Sequence, residues 1–310
     1  MDILIIKPSS LGDIIHGLAV AQSIKAQCTQ ARVTWVVRDL FAPLVEAAMC
    51  VDKVIIFERK AGLSGLSKTI AQLRQQRYDW VLDLQGLARS GWMTFRARAD
   101  KKAGRRDARE GAALAYGLQP KLPSDGKYSH AQDILLEFLP LLGLEKRIEK
   151  PLRFKTDDIE PLPPFTKGAI VLFPGSRRAE KEWPAFAELT SRLLDTRQDV
   201  TIVWAGDQLM SDNPDWPTKR FLNLTGRTAL PQLVTLIADS QLCVCNDSGP
   251  MHLAAALGKP LLALFGPTPP ERFGPWPLDD PQHHVLQAPG GDLKQLTVES
   301  VAEKALSQLK

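Results

Sequence analysis

The stretch Cys245-Asn246-Asp247-Ser248-Gly249-Pro250-Met251-His252 closes an apolar run and opens a small-residue helix, with polar side chains gathered at the helix start. About four unpaired N–H groups and the positive end of the helix dipole meet at such a junction, so an anionic nucleotide would bind there. Gly249 lets a ligand approach the backbone, Ser248 caps or donates, and His252, four residues on, shares a helix face with Ser248. An ordinary helix cap is the alternative reading. Its company favours a ligand: Phe173-Pro174-Gly175-Ser176 follows another apolar strand, and Phe265-Gly266-Pro267-Thr268 follows a third. Near the start of the chain, Lys7-Pro8-Ser9-Ser10-Leu11-Gly12-Asp13-Ile14-Ile15-His16 has the same character. Gly12 permits a tight turn, and Asp13 opens a helix, either as a plain complement to its dipole or as a carboxylate that takes a proton. A GxGxxG dinucleotide fingerprint is missing.

These loops need strands behind them and helices in front. Short apolar runs alternate with helical patterns along the chain, as in parallel βα units. The first half reads as strands 2–6, 33–37, 53–57, 79–83 and 101–104, with helices near 12–27, 39–48, 64–77, 86–98 and 129–142. The second reads as strands 168–173, 200–204, 221–224, 242–245 and 260–264, with helices near 184–196, 207–212, 230–239, 248–257 and 297–309. A proline-rich stretch without apolar period, 151–166, is the expected linker between domains 1–150 and 167–310. The fold class is α/β, two doubly wound Rossmann-like domains facing a cleft, with ligands at the C-terminal edges of the strands.

Composition agrees. The 310 residues exceed what one core usually holds, and 44% hydrophobic with 24% charged content suits a soluble globular protein. Met1 runs almost directly into Ile3-Leu4-Ile5-Ile6 and no apolar run reaches membrane-spanning length, so a cytoplasmic location is expected. Cys28, Cys50, Cys243 and Cys245 lack metal or CxxC spacing and read as structural thiols. The net charge of +4 hides an asymmetry: residues 1–150 hold 23 Lys/Arg against 16 Asp/Glu, and residues 151–310 hold 16 against 19. The densest basic stretch, Arg89 to Arg109, reads as a solvated face or as a surface for an anionic lipid or phosphorylated sugar. Nucleic acid is disfavoured, because no stacking strand or recognition helix accompanies the charge. Trp92, Met93 and Phe95 beside Arg96 and Arg98 suit either an interface or a helix packing inward.

Taken together, Lys7-Pro-Ser-Ser-Leu-Gly-Asp-Ile-Ile-His16 and Asp83-Leu-Gln-Gly-Leu-Ala-Arg-Ser90 resemble the N-terminal domain of the ADP-heptose:lipopolysaccharide heptosyltransferase family. Phe173-Pro-Gly-Ser-Arg177, Lys181-Glu-Trp-Pro184, Asn246-Asp-Ser-Gly-Pro-Met-His252 and Phe265-Gly-Pro-Thr268 resemble its C-terminal motifs in the same order. The resemblance spans nearly the whole chain. It implies a GT-B fold, an ADP-heptose donor, inversion at the anomeric carbon, and an anionic lipid-linked acceptor, Kdo-lipid A or heptosylated core, where Kdo is 3-deoxy-manno-octulosonic acid. The enzyme would work at the cytoplasmic face of the inner membrane, in transient contact with its surface, and its last helix would pack back on the N-terminal domain as in many GT-B enzymes.

By the same resemblance Asp13 is the base and Asp83 supports it. Without a metal motif or cofactor, Lys181, Ser176, Arg177 and the helix start at Ser248 and Gly249 would neutralise the leaving diphosphate. Asp247 would hold a ribose or sugar hydroxyl, and His252 would donate to a phosphate oxygen or serve as a core histidine. On the acceptor side stand Ser10 and Gly12, then Arg109 ahead of Arg105 and Arg106, with Arg59 and Lys60 behind. Arg177, Arg178 and Pro250 depart from some relatives and leave open whether the first or second heptose is added, or another glycan modified. A sugar-nucleotide epimerase or hydrolase, or a non-catalytic nucleotide-binding regulator, is the alternative on one fold. The basic stretch disfavours an epimerase, which needs no anionic acceptor groove.

Overall fold

The structure, a computed structural model, describes residues 1–157 and 159–309. Asp158, inside the expected linker, and Lys310 lie outside the described residues. The chain divides into two compact units, Met1–Lys155 and a second from Thr156 onward.

The first unit runs β1 (Asp2–Ile6), α1 (Leu11–Gln27), β2 (Arg32–Arg38), α2 (Ala42–Ala47), β3 (Lys53–Phe57), α3 (Gly62–Leu73), β4 (Tyr78–Asp83), α4 (Ala88–Arg96), β5 (Ala99–Gly104) and α5 (Ala131–Leu136). Its strands form one parallel sheet in the order β3-β2-β1-β4-β5. Ile3 to Ile6 are fully buried, as an unbroken apolar run must be when helices cover both faces of a sheet. Strand order reverses between β1 and β4, so the loops after them, Lys7–Ser10 and Leu84–Leu87, flank the crevice where such sheets bind ligands.

The second unit runs β6 (Ile170–Phe173), α6 (Phe186–Thr196), β7 (Ile202–Trp204), β8 (Phe221–Asn223), α7 (Leu230–Asp239), β9 (Leu242–Asn246), α8 (Gly249–Ala256), β10 (Leu261–Phe265), α9 (Pro270–Phe273), β11 (His283–Gln287) and α10 (Val298–Leu306). The parallel order β11-β10-β9-β6-β7-β8 is the Rossmann order, with its switch point between β6 and β9. Trp183, Phe186 and Trp204 anchor its core, into which α10 sends Val301, Ala302 and Ala305.

Several sequence expectations are corrected. The helix expected at 207–212 is an irregular loop, because Met210 is held by the end of β8 and the turn after it: its N–H donates to Thr225 Oγ1 (2.9 Å) and its carbonyl accepts from Asn223 Nδ2 (2.8 Å). The helix expected at 129–142 shortens to α5 and a separate turn at Pro140–Leu142, since Pro140 cannot continue the ladder. Strand β11, with its two histidines, carries too little apolar pattern to be read from sequence. The start of the expected linker is attached to the first unit, where Arg153 N–H donates to Gln22 Oε1 and Lys155 N–H to the Ala47 carbonyl. Burial raises the thiols of Cys50 to about 12 and Cys243 to about 11, so neither is poised to react.

Candidate active site

Each unit builds a constellation at its own switch point. In the first, β1 is followed by Lys7, whose N–H donates to the Val36 carbonyl and whose carbonyl accepts from the Trp35 indole at 3.2 Å. These bonds fix the strand exit and leave the Lys7 side chain 1% exposed. Its ammonium meets Asp13 Oδ1 at 3.0 Å. Asp13 Oδ2 accepts from the Ser10 hydroxyl at 2.7 Å and the Ser10 N–H at 3.1 Å, closing the first turn of α1. Burial opposes ionisation of Asp13, but the Lys7 charge and the Ser10 donors outweigh it and hold the carboxyl well below the usual range. Burial also pushes Lys7 down, against the pull of Asp13. The carboxylate side chain is 37% exposed, so this pair offers its negative member to a ligand.

The loop after β4 forms the neighbouring wall. Asp83, fully buried, accepts at Oδ1 from Gln85 N–H (2.9 Å) and Gly86 N–H (3.0 Å), and at Oδ2 from the Tyr116 hydroxyl (2.7 Å). Burial pushes its pKa up despite these donors, and the Tyr116 phenol is pushed up as well. Asp83 therefore ties the end of β4 to the segment containing Tyr116. Gly104 makes this possible: a Cβ there would overlap the Tyr116 ring. Gly86 stands at φ +72° with Arg105 and Ala108 against it, and its carbonyl accepts from Arg109 N–H at 2.9 Å. Arg105 pairs bidentately with Asp107 (2.9 and 2.6 Å) and its charge is felt by Lys7 and Asp13. Arg109 presents its side chain to solvent.

In the second unit, β6 leads into Pro174-Gly175-Ser176 and β9 into Asp247-Ser248. Lys181 Nζ donates to Asp247 Oδ2 at 2.5 Å, and Thr268 Oγ1 donates to the same oxygen at 2.6 Å. Here the lysine side chain is 13% exposed and the carboxylate 7%, so the pair leans its cation outward. Asn246, fully buried, accepts from Trp183 N–H (3.0 Å) and donates to the carbonyls of Phe173 (3.2 Å) and Pro174 (3.0 Å), tying both strand exits to the lysine turn. Ser176 N–H donates to Glu182 Oε2 at 2.9 Å. Ser248 stands just before α8 with its hydroxyl donating to the Asn246 carbonyl at 3.2 Å rather than capping the helix, and the first turn of α8 carries Gly249 and half-buried His252.

Ser10, Gly12, Asp13 and Asp83 thus gather at one switch point, and Ser176, Lys181, Asp247, Ser248, Gly249 and His252 at the other. Arg177 turns to the surface, paired with Asp207 at 2.7 Å. Arg59 and Lys60 are exposed on a turn after β3. Sequence reasoning missed Lys7, Tyr116, Asn246 and Glu182 as working parts. A lysine directly after four buried aliphatics and an asparagine inside an apolar strand were signals, because buried polar groups need partners. Among the described residues, no cluster of three or more His, Cys, Asp or Glu is placed to hold a metal ion.

Comparisons with known proteins bear on this arrangement. The sequence profile of Glycosyltransferase family 9 (heptosyltransferase) matches residues 66–305. Lipopolysaccharide heptosyltransferase 1 of Escherichia coli O18:K1:H7 is 27% identical over 98% of this chain and 96% of its own length. The lipopolysaccharide core heptosyltransferase OpsX of Haemophilus influenzae is 26% identical, covering 88% of this chain and 81% of its own. Among solved structures, E. coli heptosyltransferase WaaC with ADP superposes with a TM-score of 0.81 at 25% identity, covering 99% of this chain and all (100%) of that one. These likenesses favour a transferase over the epimerase or regulator readings, and the two doubly wound units are those of a GT-B glycosyltransferase. With the match spanning most of both units, the chain belongs to glycosyltransferase family 9, the heptosyltransferases.

Proposed function

We propose that this chain transfers heptose from ADP-heptose to the Kdo/heptose inner core of lipopolysaccharide, with inversion at the anomeric carbon. The observation that carries the reading is the opposed polarity of the two Lys–Asp pairs: Asp13 is the exposed member of one, Lys181 the more exposed member of the other. An acceptor hydroxyl gives its proton to the Asp13 carboxylate as its oxygen attacks the anomeric carbon, and the bond from that carbon to the diphosphate breaks. The charge gathering on the departing ADP is met by Lys181 and by the N–H groups at Ser248 and Gly249. The names of the relatives and the ADP in the WaaC structure support the donor and acceptor classes. Arg109, exposed where its N–H meets the Gly86 carbonyl, would receive an acceptor carboxylate, whereas Arg105 is held bidentately by Asp107.

Such an acceptor is lipid-anchored, so the reading places the protein at the cytoplasmic face of the inner membrane as a peripheral protein. No helix among the described residues is long and apolar enough to cross a membrane. Mass spectrometry of Kdo-lipid A, and separately of its mono-heptosylated form, after incubation with ADP-heptose tests the proposal. One heptose gained on either acceptor, lost in Asp13→Ala, is the expected result. Unchanged acceptors with folded, ADP-binding protein would overturn it.

A further inference from the structure

Helix α4 divides its residues sharply. Ser90, Gly91, Met93 and Thr94 are buried against the first unit, whereas Trp92 is 46% exposed and Phe95 57%. The two rings stack on each other outside the fold, centroids 5.6 Å apart and planes at 26°. Each also carries a cation: the Arg96 guanidinium lies 5.5 Å from the Trp92 centroid and the Lys102 ammonium 5.9 Å from that of Phe95. Lys102 additionally donates to the Phe95 carbonyl at 2.7 Å, which holds the charge over the ring. Leu114, 93% exposed, stands on the turn Ala112–Ala115, which packs so closely on α4 at Gly91 that a Cβ there would press on Ala112.

Single exposed hydrophobics are ordinary, but a paired aromatic surface with cations fastened to it is not. Tryptophan and phenylalanine place their rings at the boundary between headgroups and acyl chains, while arginine and lysine keep their charge among the headgroups. The charge balance selects an anionic surface. The acidic residues within the basic stretch are already engaged, Asp100 by Arg77 and Asp107 by Arg105. Among the described residues, Arg89, Arg96 and Lys102 enter no ion pair, and Arg89 lies on the same helix face as Trp92 and Arg96 by its i, i+3, i+7 spacing. β5 is also an edge strand of its sheet.

We infer that Trp92, Phe95, Arg89, Arg96 and Lys102 form a docking surface for an anionic phospholipid bilayer. The surface deepens the reading of a lipid-linked acceptor: α4 starts at the Asp83–Gly86 wall, and a nine-residue helix is only about 14 Å long, so the docked unit holds Asp13 near the headgroups. Binding itself requires no heptose transfer, which keeps the two claims separable.

Co-sedimentation of the full chain with vesicles of phosphatidylcholine alone, or of phosphatidylcholine with phosphatidylglycerol, tests the inference without any sugar donor. Binding is expected only to the phosphatidylglycerol vesicles, and it should weaken as salt rises. Trp92→Ser with Phe95→Ser should lower the partition coefficient roughly tenfold or more. Arg89→Glu with Arg96→Glu should lower it about fivefold or more for each charge reversed. Circular dichroism and thermal melts of both variants establish that they fold. Wild-type protein that ignores phosphatidylglycerol vesicles at low salt, or folded variants that bind like wild type, would overturn the inference. So would variants that change only self-association in sedimentation velocity, which would make the patch a contact between copies.

Discussion

The two switch points solve opposite electrostatic problems with the same pair of residue types. In the first unit the lysine is sunk to 1% exposure and its aspartate stands 37% exposed. In the second the aspartate is at 7%, its oxygen shared with Thr268, and the lysine at 13%. A buried ion pair compensates its own desolvation only when its remaining lone pairs and protons find partners, so the less buried member is the one offered to a ligand. One pair thus presents an anion able to take a proton, and the other a cation able to meet a phosphate. Residue type alone does not assign these tasks; depth does.

Removing the presented anion should have the largest effect. Asp13→Asn keeps the size and the Ser10 contact but removes the proton acceptor, and should reduce kcat by about 10³-fold or more with ADP affinity kept. Calorimetric ADP binding beside steady-state turnover checks this, and a variant with near-normal kcat would remove Asp13 from the base role. At the other pole, Lys181→Ala should lower kcat/KM by roughly 10²-fold and weaken ADP, whereas the same substitution should leave the acidic limb of the pH–rate profile in place.

Lys7→Met tests the same pair from behind, since the Lys7 ammonium holds the Asp13 carboxyl, the proposed base, low. Asp13 has its pKa depressed by Lys7 and Ser10, so in the wild type its charge, and the stability that charge contributes, persists as pH falls until the depressed pKa is reached. Without the ammonium that pKa rises, and the acidic limb of kcat/KM should move to higher pH with a loss of roughly tenfold near neutrality. A limb that stays fixed would show that Lys7 does not set it.

Two substitutions probe the scaffolds rather than the chemistry. Asn246→Ala leaves the Trp183 N–H and two carbonyls without their partner and should cost about 2–3 kcal/mol, read from the urea midpoint. Tyr116→Phe should cost somewhat less, about 2 kcal/mol, at neutral pH. Burial raises the Asp83 pKa, so the folded state holds that proton more tightly than the unfolded one, and Asp83 destabilises the fold above its raised pKa. The Tyr116→Phe penalty should therefore shrink as pH falls and Asp83 becomes protonated. Melting temperatures across pH that differ from wild type by a constant amount would contradict this account.

Most of the framework was legible in the sequence because parallel strands buried on both faces read as unbroken apolar runs, as β1, β9 and β10 do. The loops after them marked a candidate site through small and polar residues at helix starts. Pro140 was visible as an interruption, yet the helical pattern around it suggested a longer helix than forms. The loop at 207–212 could not be foreseen, since the partners that hold it, Asn223 at the end of β8 and Thr225 just after it, come later in the chain. Tyr116 was equally hidden: it lies 33 residues from Asp83, and only a glycine at 104 admits its ring.

Local sequence set the alternating α/β units, the loops of the candidate site and the family to which they belong, because local periodicity and motif order survive without long-range information. Tertiary structure alone decided which lysine and which aspartate face outward, which carboxylate is a brace, and which side of α4 is left to solvent. Those outcomes depend on burial and on partners tens of residues away, and a side chain's electrostatic role follows from its surroundings rather than from its type.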